Sequence, residues 1–367
     1  MNGSGVRVPV GVAWGRGRGA SLAEVVAVVA ALSIAVSVAA LAVDHNRDES
    51  YTVVCARNLQ GIGQALSRYL ADNGGVYPPS YAYPSDAEGT WDPEDQDPAH
   101  PYGYAHWSWL LYDGGGTRPT AFQCPAMTAG GAPRTNPGPD AADWEAGQVD
   151  QNQASAPNPF VDRQTPRIAY TANAAMLPRN KFTQFLSGAN RINVFVPSAG
   201  VNRPDETTVM TEFLDNWKGL CIQAGGSLVS KSHRPINPFY HLASGWNEYQ
   251  SMPGSPGFLY GLQQSGYEIH TDPEDYGLLP WQGVRNRTNI LDHTSGLAQI
   301  NAVGRHHPGG DSLYGGTANF LMGDGHGERM TVLDSLIERK WGDRYYGLSG
   351  HNLVLNYSMA DWAADSE

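Results

Sequence analysis

The sequence predicts an α+β fold: a long N-terminal helix packed on an antiparallel β-sheet body, with long irregular loops. Three observations point to it. Val25 to Val43 form nineteen uncharged residues interrupted only by Ser33 and Ser37. Beyond a charged stretch, Asp44 to Ser50, the residues Cys55, Leu59, Ile62, Leu66 and Tyr69 recur at steps of four, three, four and three. That is the stripe of an amphipathic helix. Near the C-terminus, Phe320-Leu321-Met322 reads as a buried strand and Asp324-Gly325 as the tight turn closing a hairpin.

The first element begins with a short leader. Arg7, Arg16 and Arg18 precede Gly19, and the apolar run follows at once, carrying one ionisable residue, Glu24. At about 1.5 Å per residue the run nearly matches a ~30 Å hydrocarbon core, so it is expected to span a membrane. An intramembrane carboxylate costs roughly 2.5–3.5 kcal/mol and calls for a partner or a function. Three readings are open: a simple anchor, a secretory signal cut near Ala40-Leu41-Ala42, and a third carried by Gly19, Ala20 and Glu24. In their spacing these three resemble a type IV prepilin signal, in which a prepilin peptidase cuts after the glycine. The resemblance implies that Ala20 becomes the N-methylated first residue and that Glu24, fifth in the mature chain, serves assembly. Ala20 departs from the phenylalanine usual there. A physical reason supports the arrangement: Glu24 of one subunit pairs with the Ala20 ammonium of a neighbour, setting register in a low-dielectric seam. Such a contact is heterologous and non-closing, the kind that builds filaments.

The basic leader places the N-terminus in the cytoplasm and the body outside, single-pass in the inner membrane. The formal charge is −12, and removing the three leader arginines leaves about −15. This argues against a nucleic-acid partner, because phosphate neutralisation supplies most of such affinity. Abundant glycine and proline (43 and 25) with only 16% charged residues suggest a loop-rich, secreted-type body. Cys55, Cys124 and Cys221 form no C-x-x-C pair, which excludes zinc ribbons and thioredoxin chemistry. One bridge and one leftover thiol are expected, with the pairing open.

The amphipathic helix ends at Asn73-Gly74-Gly75, and Pro78-Pro79 forbids its resumption. Gly61 and Gly63 weaken its propensity, so packing must hold it. A helix from about Ala20 to Asn73 is roughly 80 Å long. Cys55-Ala56-Arg57-Asn58-Leu59 with Ile62-Gly63, Asn73-Gly74 and Pro78-Pro79 is similar to the corresponding segment of a large group of bacterial pseudopilin-like proteins. Trp107 to Tyr112, Phe122-Gln123-Cys124-Pro125 and Tyr170 to Ala175 match that group's next landmarks in order.

Six acids, Asp86, Glu88, Asp92, Glu94, Asp95 and Asp97, crowd one loop. Oxygen-rich loops hold calcium, and related major pseudopilins do so. Without an EF-hand pattern this stretch is expected to be a solvated loop and the chain to need no cofactor, with calcium the alternative. Residues 128–166 and 232–296 read as irregular excursions. Ile192 to Val196 and Thr207 to Met210 read as strands, and Val332 to Lys340 as a short helix.

Arg305-His306-His307, then Asn319 and Asp324-Gly325-His326, resemble the H-x9-DG domain that ends prepilin-type proteins of the same group. The spacing departs: sixteen residues separate His307 from Asp324, with Asp311 to Gly316 an inserted loop. The cluster is expected to be structural, a histidine and Asp324 bracing the hairpin. The alternative is a metal site, since imidazole and carboxylate suit zinc or iron, with His307, Asp324 and His326 as ligands. H-E-x-x-H, G-x-S-x-G and P-loop motifs are absent from the sequence, so no catalytic residue is assigned and no enzyme is expected.

The expected organisation is a leader (1–19), a transmembrane assembly helix (20–43), its amphipathic continuation (44–75), a loop-rich body (76–300) and the H-x9-DG-like region (301–367). The resemblance implies a structural pseudopilin of a type II secretion or type IV pilus-like filament. Its partners would be the prepilin peptidase, other pilin-like subunits and the inner membrane. The alternative is a membrane-tethered binding module or a metal-dependent hydrolase.

Overall fold

A computed structural model describes residues 22–86, 90–92, 95–97, 99, 103–183, 186, 192–241, 257–260, 272–292, 295–311, 313–348 and 352–354. The chain divides into two units, Met1–Arg47 and Asp48–Glu367. The first helix, α1 (Leu22–Asp72), has 51 residues and contributes to both. Gly19 and Ala20 lie outside the described residues, as does the side chain of Glu24 on α1.

One expectation is overturned. Among the described residues no helix is long and apolar enough to cross a membrane. The expected transmembrane segment at 20–43 falls, and with it the single-pass placement in the inner membrane. The expectation rested on the length of an uncharged run. Alanines interleave with its valines, and Ser33 and Ser37 turn their hydroxyls back onto the carbonyls of Val29 and Ser33.

The C-terminal half of α1 is fastened to the body by the stripe its sequence spells. Cys55, Leu59, Ile62 and Leu66 are buried, and Tyr69 packs partly buried against the same core. Each large apolar side chain buried this way contributes about 1.5–3 kcal/mol. Gly63 marks the closest approach: a Cβ there would stand 2.7 Å from Cδ1 of Leu321. The glycine that weakens the helix locally is what lets it seat on the sheet. Three further ties are polar or covalent. Cys55 is bonded to Cys124, Asn58 Nδ2 donates to Gln123 O at 2.8 Å, and the Tyr170 hydroxyl donates to Cys55 O at 3.0 Å. The helix stops after Asp72, where Gly75 N donates to Leu70 O and Gly74 and Gly75 take positive φ.

A short second helix, α2 (Trp107–Asp113), is capped by His106, whose Nδ1 accepts from Ser108 N. It buries Trp107 edge-on to Phe122.

The central sheet contains β1 (Tyr170–Ala172), β2 (Thr208–Glu212), β3 (His307–Asp311), β4 (Gly315–Met322) and β5 (Gly327–Thr331). Its order is β3-β4-β2-β1, with β5 also paired to β4, and every pairing is antiparallel. Strands from 76–300 and from 301–367 therefore share one sheet. Smaller sheets join Gln148–Val149, Ser227–Ser230 and Cys221–Ala224, and Phe239–His241, Gly257–Tyr260, Asn352–Val354 and Arg344–Tyr345.

Asp324-Gly325 does close a hairpin: Met322 N donates to His326 O and Gly325 N to Met322 O, with Gly325 at φ 94°. The helix expected after it is α3 (Val332–Ile337), started by a capping box of Thr331 and Asp334. Ile192 to Val196 is not a strand. Its backbone bonds are scattered, Asn193 N to Lys181 O, Val194 N to Gly347 O and Val196 O from Tyr77 N.

Candidate functional site

Where α1 meets the sheet, β2, β3 and β4 bring titratable groups together. Glu212 ends β2, and the pairing of Thr211 with Phe320 puts Asn319 of β4 beside it. His307 opens β3 opposite Thr317. Both carboxylate oxygens of Glu212 are engaged. Oε1 accepts from His307 Nε2 at 2.9 Å and from Asn319 Nδ2 at 3.1 Å, while Oε2 accepts from the Asn319 backbone N–H at 2.8 Å. The side chains of Glu212 and His307 are wholly buried. Burial pushes the Glu212 carboxyl up, but the bond to His307, the imidazoles of His307 and His306 and the Asn319 amide outweigh it, holding the group below its ordinary value. Isolated burial would have neutralised it.

His306 sits edge-on to His307, ring centroids 4.5 Å apart, with Nε2 3.9 Å from Cys124 Sγ. Burial pulls its pKa down to about 4. Gly304 makes room: a Cβ there would lie 2.6 Å from Phe213 O and 2.7 Å from His306 Cε1. Among the described residues, Nδ1 of His306 and Nδ1 of His307 are buried without a hydrogen-bond partner.

Arg305, the third member of the sequence signature, is a clasp. Its guanidinium donates to Leu279 O at 2.7 Å, Tyr314 O at 3.1 Å and Asn301 Oδ1 at 2.8 Å. It also stands 5.6 Å from the centroid of the Trp281 ring. Burial lowers its pKa to about 9.

Asp324 and His326 lie elsewhere, on the exposed turn after β4. Asp324 Oδ1 accepts from the His326 backbone N–H at 3.0 Å and from His326 Nδ1 at 2.6 Å, and His326 Nε2 donates to Glu328 at 3.1 Å. Lys340 completes the group through Glu328. The Glu328 bond raises the His326 pKa against a smaller effect of burial, helped by Asp324. Slight burial raises the Asp324 pKa, and the bonds from His326 more than offset it, for a net lowering.

The structure therefore does not bring His307, Asp324 and His326 together as a ligand set. His307 faces Thr317 near the start of β4, and Asp324 follows Met322 at its end. At about 3.3 Å per residue the strand separates them by roughly 16 Å. The metal-type donors converge instead at Cys55, Cys124, Glu212 and His307, whose ligand atoms all lie within 4.8 Å of one another. Glu212 was not among the residues singled out from sequence. The signal available was a lone acid in an apolar run, Val209-Met210-Thr211-Glu212-Phe213-Leu214.

In the acidic loop, Asp86 accepts from Thr90 N and Asp97 from Ala99 N, both at 2.8 Å. Those oxygens brace turns. Glu88 and Glu94 lie outside the described residues. The unbridged thiol, Cys221, is buried, and burial pushes its pKa far up.

A groove of about 450 Å³ runs along this face, lined among others by Thr52, Ala56, Arg57, Asn319, Glu328 and Arg329. Asn319 stands between it and Glu212, bonding Glu212 on one side and Thr52 O at 3.4 Å on the other. Compared with family models, curated proteins and solved structures, the chain matches none.

Proposed function

We propose that the chain is a structural, pilin-like subunit that assembles through α1 with other pilin-like subunits, after a prepilin peptidase cuts behind Gly19 and Ala20 is methylated. The observation that carries this reading is the contrast within one helix. From Cys55 onward α1 has an apolar stripe buried in the body. In its first half Val29, Leu32, Val36 and Val43 stand 56–67% exposed. A run of large apolar side chains left open on a helix marks a surface for another protein. A second copy's equivalent helix offers matching chemistry, and Glu24 against a neighbour's Ala20 ammonium would fix the register.

The test is assembly of the full chain, read by electron microscopy and sedimentation. Wild type should form filaments, Leu32→Asp should abolish them, and Glu24→Ala should reduce them severely while leaving the body's melting unchanged. A wild-type chain that stays monomeric after processing, or a Leu32→Asp chain that assembles normally, contradicts the reading. Mass spectrometry of the mature N-terminus tests processing separately: methylated Ala20 is expected, and an intact Met1 or a terminus at Val43 opposes it.

A further inference from the structure

The buried donors Cys55, Cys124, Glu212 and His307 form two alternative closures of the same joint. We infer that the oxidised chain closes it with the Cys55–Cys124 disulfide, whereas the reduced chain closes it by holding one zinc-class divalent cation between two thiolates, the carboxylate and the imidazole.

Geometry and chemistry both carry the inference. Four ligand atoms within 4.8 Å of one another come from three elements far apart in sequence, the helix, the β2 end and the β3 start, plus the segment after Phe122. A tetrahedral zinc with ~2.0–2.1 Å bonds to N and O and ~2.3 Å bonds to S spaces its donors roughly 3.3–3.8 Å apart. Parting the sulfurs and drawing in the other donors by about an ångström reaches that spacing. Two thiolates and an imidazole are the soft and borderline donors zinc selects over calcium or magnesium. The surroundings also suit a metal. Asn319 already hydrogen-bonds Glu212 from two directions, as a ligating carboxylate requires. His306 holds Nε2 3.9 Å from Cys124 Sγ, placed to donate to a thiolate there. The unpartnered Nδ1 atoms of His306 and His307 show imidazoles whose bonding capacity the disulfide form leaves unused. The groove that reaches Asn319 offers a route from solvent.

The conversion balances. A dithiol supplies two electrons and two protons, the Cys55–Cys124 bond breaks to two thiols, and the dithiol leaves as its own disulfide. The cation then displaces the two thiol protons to solvent as two metal–sulfur bonds form. With a tertiary phosphine in place of the dithiol, water supplies the oxygen of the phosphine oxide and the same two protons.

Cobalt(II) is the probe, because thiolate ligation gives it charge-transfer absorption and a tetrahedral site gives it strong visible bands. The full chain is produced in a reducing cytoplasm, kept under phosphine and titrated with Co²⁺ alone. The expected result is one equivalent bound with both signatures, at least a hundredfold more tightly than by the same wild-type chain after oxidation. Zinc should displace it, and Cys221→Ser should bind like wild type. Cys124→Ser, which leaves Cys55 as the one thiolate, should roughly halve the charge-transfer absorption and lose at least tenfold in affinity. A reduced wild type that binds no cobalt, folded or unfolded, overturns the inference. So does binding that is equal in the oxidised chain, or binding that Cys221→Ser abolishes.

Discussion

The molecule uses the same residue types twice, histidine against carboxylate, in opposite surroundings. Glu212 and His307 are wholly buried, with every carboxylate oxygen engaged. Asp324, His326 and Glu328 sit on a turn, with Asp324 and His326 about 40% exposed. The bonds look alike on paper. Removing one partner of a buried pair leaves an uncompensated charge and is heavily destabilising, whereas an exposed pair is screened by water and salt and contributes little. The histidine that opens β3 is therefore a joint of the core, and the Asp-Gly-His turn is a local brace.

This contrast ranks the expected effects. Glu212→Ala should destabilise the chain by about 3–5 kcal/mol, measured by urea unfolding, because His307 and two Asn319 donors lose their acceptor inside the core. A loss below about 1 kcal/mol would make the two clusters equivalent. Replacing Cys55 and Cys124 together by serine should cost about 4 kcal/mol, from the entropy of a closed loop 69 residues long. Cys221→Ser, outside both clusters, should change much less.

Acid should separate buried histidines from the exposed one by sign. Burial lowers His106 to about 3 and His306 to about 4. The unfolded chain takes up those protons below about pH 6.5 while the folded one does not. Stability is full above that pH and falls by about 1.4 kcal/mol per pH unit for each imidazole as pH drops toward those values. His326 has its pKa raised, so its contribution is present below about pH 6.5 and fades as pH rises through the raised value. Urea midpoints between pH 4 and 9 measure both, and His106→Gln should flatten the acid limb. The smallest effect belongs to Asp324→Ala, about 0.5–1 kcal/mol, unchanged by chelator. A wild-type melt that falls with chelator to meet an unresponsive mutant would make Asp324 a ligand.

How far the sequence discloses this depends on how local each feature is. The stripe from Cys55 to Leu66 and the Asp324-Gly325 turn were legible, because periodicity and turn chemistry act within a few residues. The stretch Asp311 to Gly316 is the tip of the β3–β4 hairpin, with Asp311 ending β3 opposite Gly315 at the start of β4, so the long spacing from His307 to Asp324 follows from a strand that must run out and return. Glu212 and His307 were not legible as a pair. They lie 95 residues apart, on strands that do not pair with each other but flank β4 on either side. The Cys55–Cys124 pairing is hidden in the same way. Gly63 read as a weakness in a helix until its contact with Leu321 gave it a purpose.

The central claim is that Glu212 and His307 act as one unit that locks β2 to β3 beneath α1. A double-mutant cycle measures it directly, from urea unfolding of wild type, Glu212→Gln, His307→Gln and the double variant at pH 7. The account predicts a coupling of about 1.5–3 kcal/mol, as for a charged hydrogen bond in the core. Single effects that add to within about 0.5 kcal/mol would contradict it.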